Sequence, residues 1–158
     1  GRKVAALLRD RFSALRPERA DAFRARYDVF SDDLSRRLAA WQDALAPYRG
    51  SKVVGDHNMW PYFARRFGFD FIGFLEPKPG AAPTTRHLGD LVARMKTEQA
   101  KLIVSAPYFD PRHGRFVSEH TGVPVVLLAH QVDALPAATN YLALFDANIA
   151  ALRAALDR

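Results

Sequence analysis

Lys52-Val53-Val54-Gly55-Asp56-His57-Asn58 is the stretch from which the fold is read: a short apolar run ends at a glycine and turns at once into polar groups. Three more such runs follow, Phe69 to Leu75, Leu102-Ile103-Val104 and Val125 to Leu128, with helical patterns between them. Strands that read as continuous apolar runs, rather than alternating ones, are covered on both faces, as the strands of parallel sheets are. The intervening segments predict a helix from about Trp60 to Phe67, one carrying Leu88, Leu91, Val92 and Met95, and one from Pro111 to Thr121. A last helix bears Tyr141, Leu144, Phe145, Ile149, Leu152 and Leu156. With right-handed crossovers, this pattern predicts an open α/β domain, a four-stranded parallel sheet flanked by helices.

Upstream the grammar is purely helical. Val4, Leu7, Leu8, Phe12 and Leu15 share one helical face before Pro17 stops the pattern. Phe23, Tyr27, Phe30, Leu34, Leu38, Trp41 and Leu45 then recur at steps of 4, 3, 4, 4, 3 and 4. They predict a long helix from Glu18 to Tyr48, about 40 Å long at roughly 1.5 Å per residue. Such a helix is longer than a small domain needs, so it bridges two lobes, pairs with another helix or lies along its own sheet. The expected organisation is two helices over residues 1–48 and an α/β lobe over 49–158. The opening Gly1-Arg2-Lys3-Val4 has no initiator Met, apolar signal segment or lead-in loop, and it reads as a piece of something longer.

Composition narrows the chemistry. The 158 residues include no cysteine, which excludes thiolate nucleophiles, zinc fingers, iron–sulfur clusters and disulfide scaffolds. A metal site must therefore use the five histidines, the carboxylates and oxygen donors. The net charge of +6 comes from Lys and Arg scattered along helices, which argues against a nucleic-acid surface. No run of residues approaches the roughly 18 apolar positions of a membrane span. There is no G-x-G-x-x-G after a strand, no Walker A pattern and no G-x-S-x-G elbow.

In an open parallel sheet, ligands bind beyond the carboxyl ends of the strands. The groups expected there are Asp56, His57 and Asn58 after the first strand, Glu76 after the second, Ser105 to Tyr108 after the third and His130 after the fourth. Two imidazoles and a carboxylate at one rim suit zinc or manganese. Each also has a plainer reading: His57 as a helix cap or loop hydrogen-bonding group, Glu76 as an ion-pair partner, His130 as a structural residue. His87, His113 and His120 read as solvated, and Asp110 before Pro111 as a helix N-cap.

Longer motifs add to this reading. They include Val53-Val54-Gly55-Asp56-His57-Asn58-Met59-Trp60-Pro61-Tyr62-Phe63-Ala64-Arg65-Arg66-Phe67-Gly68 and Leu75-Glu76-Pro77-Lys78-Pro79-Gly80 with Pro83-Thr84 and His87-Leu88. Others are Ala106-Pro107-Tyr108-Phe109-Asp110-Pro111, Thr121-Gly122-Val123-Pro124-Val125-Val126 and Tyr141-Leu142-Ala143-Leu144-Phe145-Asp146. With these motifs the whole chain resembles the C-terminal half, with linking helix, of the periplasmic zinc and manganese solute-binding proteins of ABC transporters. The resemblance implies one lobe of a two-lobe binding protein, no catalysis, and a divalent cation held in the cleft and delivered to a permease in the inner membrane. It implies a periplasmic or membrane-tethered extracellular location.

His57 matches the family's C-terminal-lobe ligand. The family's Asp after the last strand does not transfer, because the matching place reads Leu128-Ala129-His130-Gln131. The implied metal residues are thus His57 with Glu76 or His130, or a three-coordinate site. The exchange of carboxylate for imidazole favours zinc or copper over manganese. The resemblance places the remaining ligands on an N-terminal lobe outside this sequence. It also implies an apolar surface on the long helix through which copies could associate. The rival readings are an α/β enzyme domain using His57, Glu76 or His130 in acid–base roles, and a metal-free interaction module on the same fold.

Overall fold

The computed structural model describes all residues from 1 to 158. The chain forms two compact units, Gly1–Gln42 and Asp43–Arg158. In the first, α1 (Arg2–Leu15) leads through a 3-10 turn at Pro17–Arg19 into α2 (Ala20–Leu45). Pro17 opens that turn, where its missing N–H has no partner to lose. Phe12 packs on Phe23 with ring centroids 5.6 Å apart, and the Arg9 guanidinium lies 4.4 Å over the Tyr27 ring. No residue of α1 is buried, and Val4, Leu7, Leu8, Phe12 and Leu15 are all exposed. The long helix is shorter than its periodicity predicts: α2 has 26 residues, and Ala46–Tyr48 is a 3-10 turn. Pro47 is the physical reason, since a proline cannot donate the next helical hydrogen bond.

The second unit is the predicted α/β lobe. Its elements are β1 (Lys52–Gly55), α3 (Pro61–Phe67), β2 (Asp70–Phe74), α4 (Thr85–Glu98), β3 (Leu102–Ser105), α5 (Pro111–Thr121), β4 (Val125–Leu127) and α6 (Tyr141–Leu156). All three strand pairs are parallel, in the order β2-β1-β3-β4. The chain winds outward from β1 to β2, then returns to the other side of β1 to lay down β3 and β4. The strand order therefore reverses between β1 and β3, the point beyond whose carboxyl ends open α/β sheets bind their ligands.

The apolar runs are buried as their composition requires, with all four residues of β3 buried. Val54, Ile72, Leu75, Leu88, Leu91, Met95, Ile103 and Val117 form one core with α4 and α5. Each such side chain contributes about 1.5–3 kcal/mol by leaving water. A second cluster of Ala129, Ala138 and Leu144 seats the start of α6. Gly73 lets α4 approach β2, because a Cβ there would lie 2.7 Å from Leu91 Cδ1.

Candidate metal centre

The carboxyl-end rim of the sheet is held together by one buried carboxylate. Asp56, directly after β1, is 2 % exposed. Its Oδ2 accepts from the Ala106 backbone N–H at 2.6 Å and from Ser105 Oγ at 3.0 Å, and its Oδ1 accepts from the His57 N–H at 2.7 Å. The backbone of Asp56 closes the ring: its N–H donates to Val104 O, and its carbonyl accepts from the Glu76 N–H, both at 2.9 Å. The ends of β1, β2 and β3 are thereby tied to one residue. Burial pushes the Asp56 carboxyl above its usual range, and the bonds from Ala106, His57 and Ser105 pull it part of the way back. Sequence reasoning found Asp56 only as a neighbour of His57. Its signal was an acidic residue directly after an apolar parallel strand, where backbone N–H groups of the next strand's exit loop need acceptors.

His57 and Glu76 are brought together. The imidazole Nδ1 and Glu76 Oε2 are in direct contact. An ionised carboxylate has only acceptors, so Nδ1 carries a proton, and in the neutral imidazole Nε2 then keeps its lone pair. The other oxygen of Glu76 accepts from the Gly80 backbone N–H. Phe109 stacks on His57 with centroids 6.1 Å apart and planes 23° from parallel. The imidazole is thus braced on one edge by a carboxylate and on one face by an aromatic ring. That arrangement suits a metal ligand whose tautomer and direction are set in advance.

His130 lies in the segment after β4, which α6 holds in place. Asn148, buried on α6, accepts from the Ala129 N–H at 2.7 Å and donates to the Ala129 carbonyl at 2.9 Å. The His130 ring meets Tyr108 edge-on at 4.6 Å, and Tyr108 packs on Phe109 at 4.5 Å. Aromatic rings therefore link the two imidazoles. The Nδ1 of His130 is buried with no hydrogen-bond partner. His130 does not join His57 and Glu76 in a common metal-holding group, and no three His, Asp or Glu side chains in the chain converge in that way.

The remaining candidates are structural. Asp110 caps α5 through the Arg112 N–H, as the sequence predicts. His87 is not simply solvated: it is half-buried, and its Nε2 is bonded to Phe74 O at 2.9 Å, which pins α4 to the end of β2. Ring placement of this kind depends on tertiary contact, so residue spacing could not reveal it. Two surface grooves, one between α1 and α2 and one lined by Tyr48, Lys101, Pro124 and Arg158, contain none of His57, Glu76 and His130.

Comparison with known proteins agrees with this architecture. The curated zinc-uptake protein ZnuA of Brucella abortus is 28 % identical over 90 residues, which is 57 % of this chain and 26 % of that protein. Among solved structures, a crystal structure of ZnuA superposes with a TM-score of 0.78 at 22 % identity, over 94 % of this chain and 53 % of that one. The solute-binding protein FpvC of Pseudomonas aeruginosa, solved with Mn2+, gives 0.74 at 21 % identity, over 95 % and 57 %. The laminin-binding protein Lmb of Streptococcus agalactiae gives 0.73 at 21 % identity, over 94 % and 58 %. The chain thus spans a little over half the length of these structures, and at such identities the likeness is one of fold. The resemblance drawn from the sequence motifs is borne out at the level of family. The family model for the periplasmic zinc-uptake complex component A matches residues 1–155, and the chain belongs to this ZnuA family.

Proposed function

We propose that this chain supplies one wall of a divalent-cation site in a solute-binding protein of the periplasm, with zinc as the cargo and an ABC permease in the inner membrane as its destination. The contact between Glu76 and His57 Nδ1, beyond the carboxyl ends of the neighbouring strands β2 and β1, carries this reading. It leaves Nε2 as the donor and makes Glu76 the carboxylate that orients it, an arrangement common around metal-bound imidazoles. The sequence motifs implied Glu76 as a ligand; the geometry favours this supporting role. His130, with an unsatisfied ring nitrogen on the same aromatic array, is the second donor that this chain offers. Imidazole donors favour zinc over manganese. The absence of any three-donor group supports a site completed by ligands from beyond this chain. Binding and handover need no catalytic residue.

The test is zinc titration by calorimetry on this chain beside the full-length protein, each with and without His57→Ala. Tight binding is expected only in the full-length protein, and His57→Ala should weaken it by at least about 100-fold. Full-length protein that binds zinc equally well without the His57 imidazole overturns the assignment. Stoichiometric tight binding by this chain alone overturns the half-site reading.

A further inference from the structure

The loop between β2 and α4 carries a turn that is linked through Glu76 to the His57 imidazole. Lys78-Pro79-Gly80-Ala81 has Pro at the second position, Gly at the third with φ +78°, and the Ala81 N–H bonded to Lys78 O at 2.9 Å. These are the marks of a type II turn. In such a turn the central peptide, here Pro79–Gly80, is flipped relative to type I, so its N–H and C=O exchange sides. The Gly80 N–H therefore points at Glu76 and donates to Oε1, while Oε2 of the same carboxylate holds His57 Nδ1.

We propose that Gly80 is a positioning residue for the metal-binding site: the type II turn latches the Glu76 carboxylate, and through it sets the tautomer and aim of the His57 imidazole. This inference rests on His57 being a metal donor. Glu76 has two carboxylate oxygens, and both are occupied, one by the loop and one by the imidazole. If the peptide flips, the Pro79 carbonyl replaces the Gly80 N–H opposite an anionic oxygen. The carboxylate then turns away, and Nδ1 loses its acceptor. A residue that accepts positive φ, glycine above all, is required at position 80 because the third position of a type II turn has positive φ. Packing makes no such demand, since a Cβ at Gly80 would meet nothing within 4 Å.

That open space makes the test clean. Gly80→Val retains a backbone N–H but disfavours positive φ, so it drives the turn towards type I and flips the peptide. Gly80→Asn also retains the N–H and tolerates the left-handed region, so it keeps the flip. The readouts are the nitrogen-15 signals of the His57 imidazole in metal-free protein, and zinc affinity by calorimetry in the full-length protein. Gly80→Val is expected to move His57 from one tautomer towards a mixture and to weaken zinc binding about 10-fold, with Gly80→Asn within about twofold of the parent. An unchanged tautomer in Gly80→Val overturns the latch. A moved tautomer with unmoved zinc affinity upholds the latch and overturns His57 as the zinc donor. A further measurement needs no change in the turn: the Gly80 amide must exchange slowly in the native protein and faster in Glu76→Ala. Equal exchange in the two overturns the proposal.

Discussion

Replacing Asp56 with alanine should be among the costliest single changes in this lobe, although the residue removed is a charge. The carboxylate accepts from three donors: the Ala106 N–H, the Ser105 hydroxyl and the His57 N–H. Ala106 is 1 % exposed, so its N–H has no route to water. A stranded buried donor of this kind costs about 1–3 kcal/mol. The Ser105 hydroxyl can turn to the Ala106 carbonyl, already 3.5 Å away, and half-buried His57 can reach solvent, so these two add less. Against this stands relief from burying a carboxylate, the effect that raises its pKa. The net expectation for Asp56→Ala is a loss of about 2–3 kcal/mol. Asp56→Asn should lose about 1–2 kcal/mol, since its amide oxygen still accepts while its NH2 confronts a donor. Urea unfolding followed by tryptophan emission reads both. With a slope of about 2 kcal/mol/M, the alanine variant's midpoint should fall by roughly 1 M at unchanged slope. An alanine variant within about 0.5 kcal/mol of the parent would refute the claim that Asp56 ties the strand ends together.

The other predictions bear on separate parts of the lobe. Asn148→Ala removes both bonds to Ala129 and should cost about 2–3 kcal/mol in the same unfolding assay, with disturbed amide signals at His130. Gly73→Ala brings a Cβ to 2.7 Å from Leu91 Cδ1 and should destabilise by about 1–3 kcal/mol. Gly89→Ala lies within α4 with nothing within 4 Å and should instead stabilise by about 0.5–1 kcal/mol; equal effects at the two glycines would contradict the packing described. The Arg112 side chain, with help from its backbone N–H, holds the Asp110 carboxyl at about 2, against 3.8 for a free aspartate. A depressed carboxyl stabilises the folded state fully above the free value and loses that contribution as pH falls through about 2. Carbon-13 titration should find the low midpoint, and Arg112→Ala should raise it; a midpoint near the free value would show that the cap does not form in solution.

Much of this was legible in the sequence for one reason: burial on both faces leaves a composition signature that needs no knowledge of neighbours. Val53-Val54-Gly55 and Leu102-Ile103-Val104 announce buried parallel strands by themselves, and Asp110 marks a helix start through a bond made within two residues; Thr84 and Asn140 cap α4 and α6 by equally local bonds that the sequence reading passed over. Pro47 is just as local in its effect, yet the apolar periodicity alone carries the predicted helix past it to Tyr48, whereas the structure ends the helix at Leu45. The rim residues His57, Glu76 and His130 follow from the rule that ligands gather beyond strand ends, and their relation to metal came from motif resemblance. Strand order belongs to tertiary structure alone, because many orders satisfy the same apolar runs, and only β2-β1-β3-β4 sets the reversal between β1 and β3. That order brings Asp56 to Ala106, 50 positions away, and it decides that His57 meets Glu76 while His130 joins them only through Tyr108 and Phe109. Apolar burial is set by each residue's own chemistry and can be read along the chain. The direction of a hydrogen bond across a sheet is set by which strands become neighbours, and only the folded chain decides that.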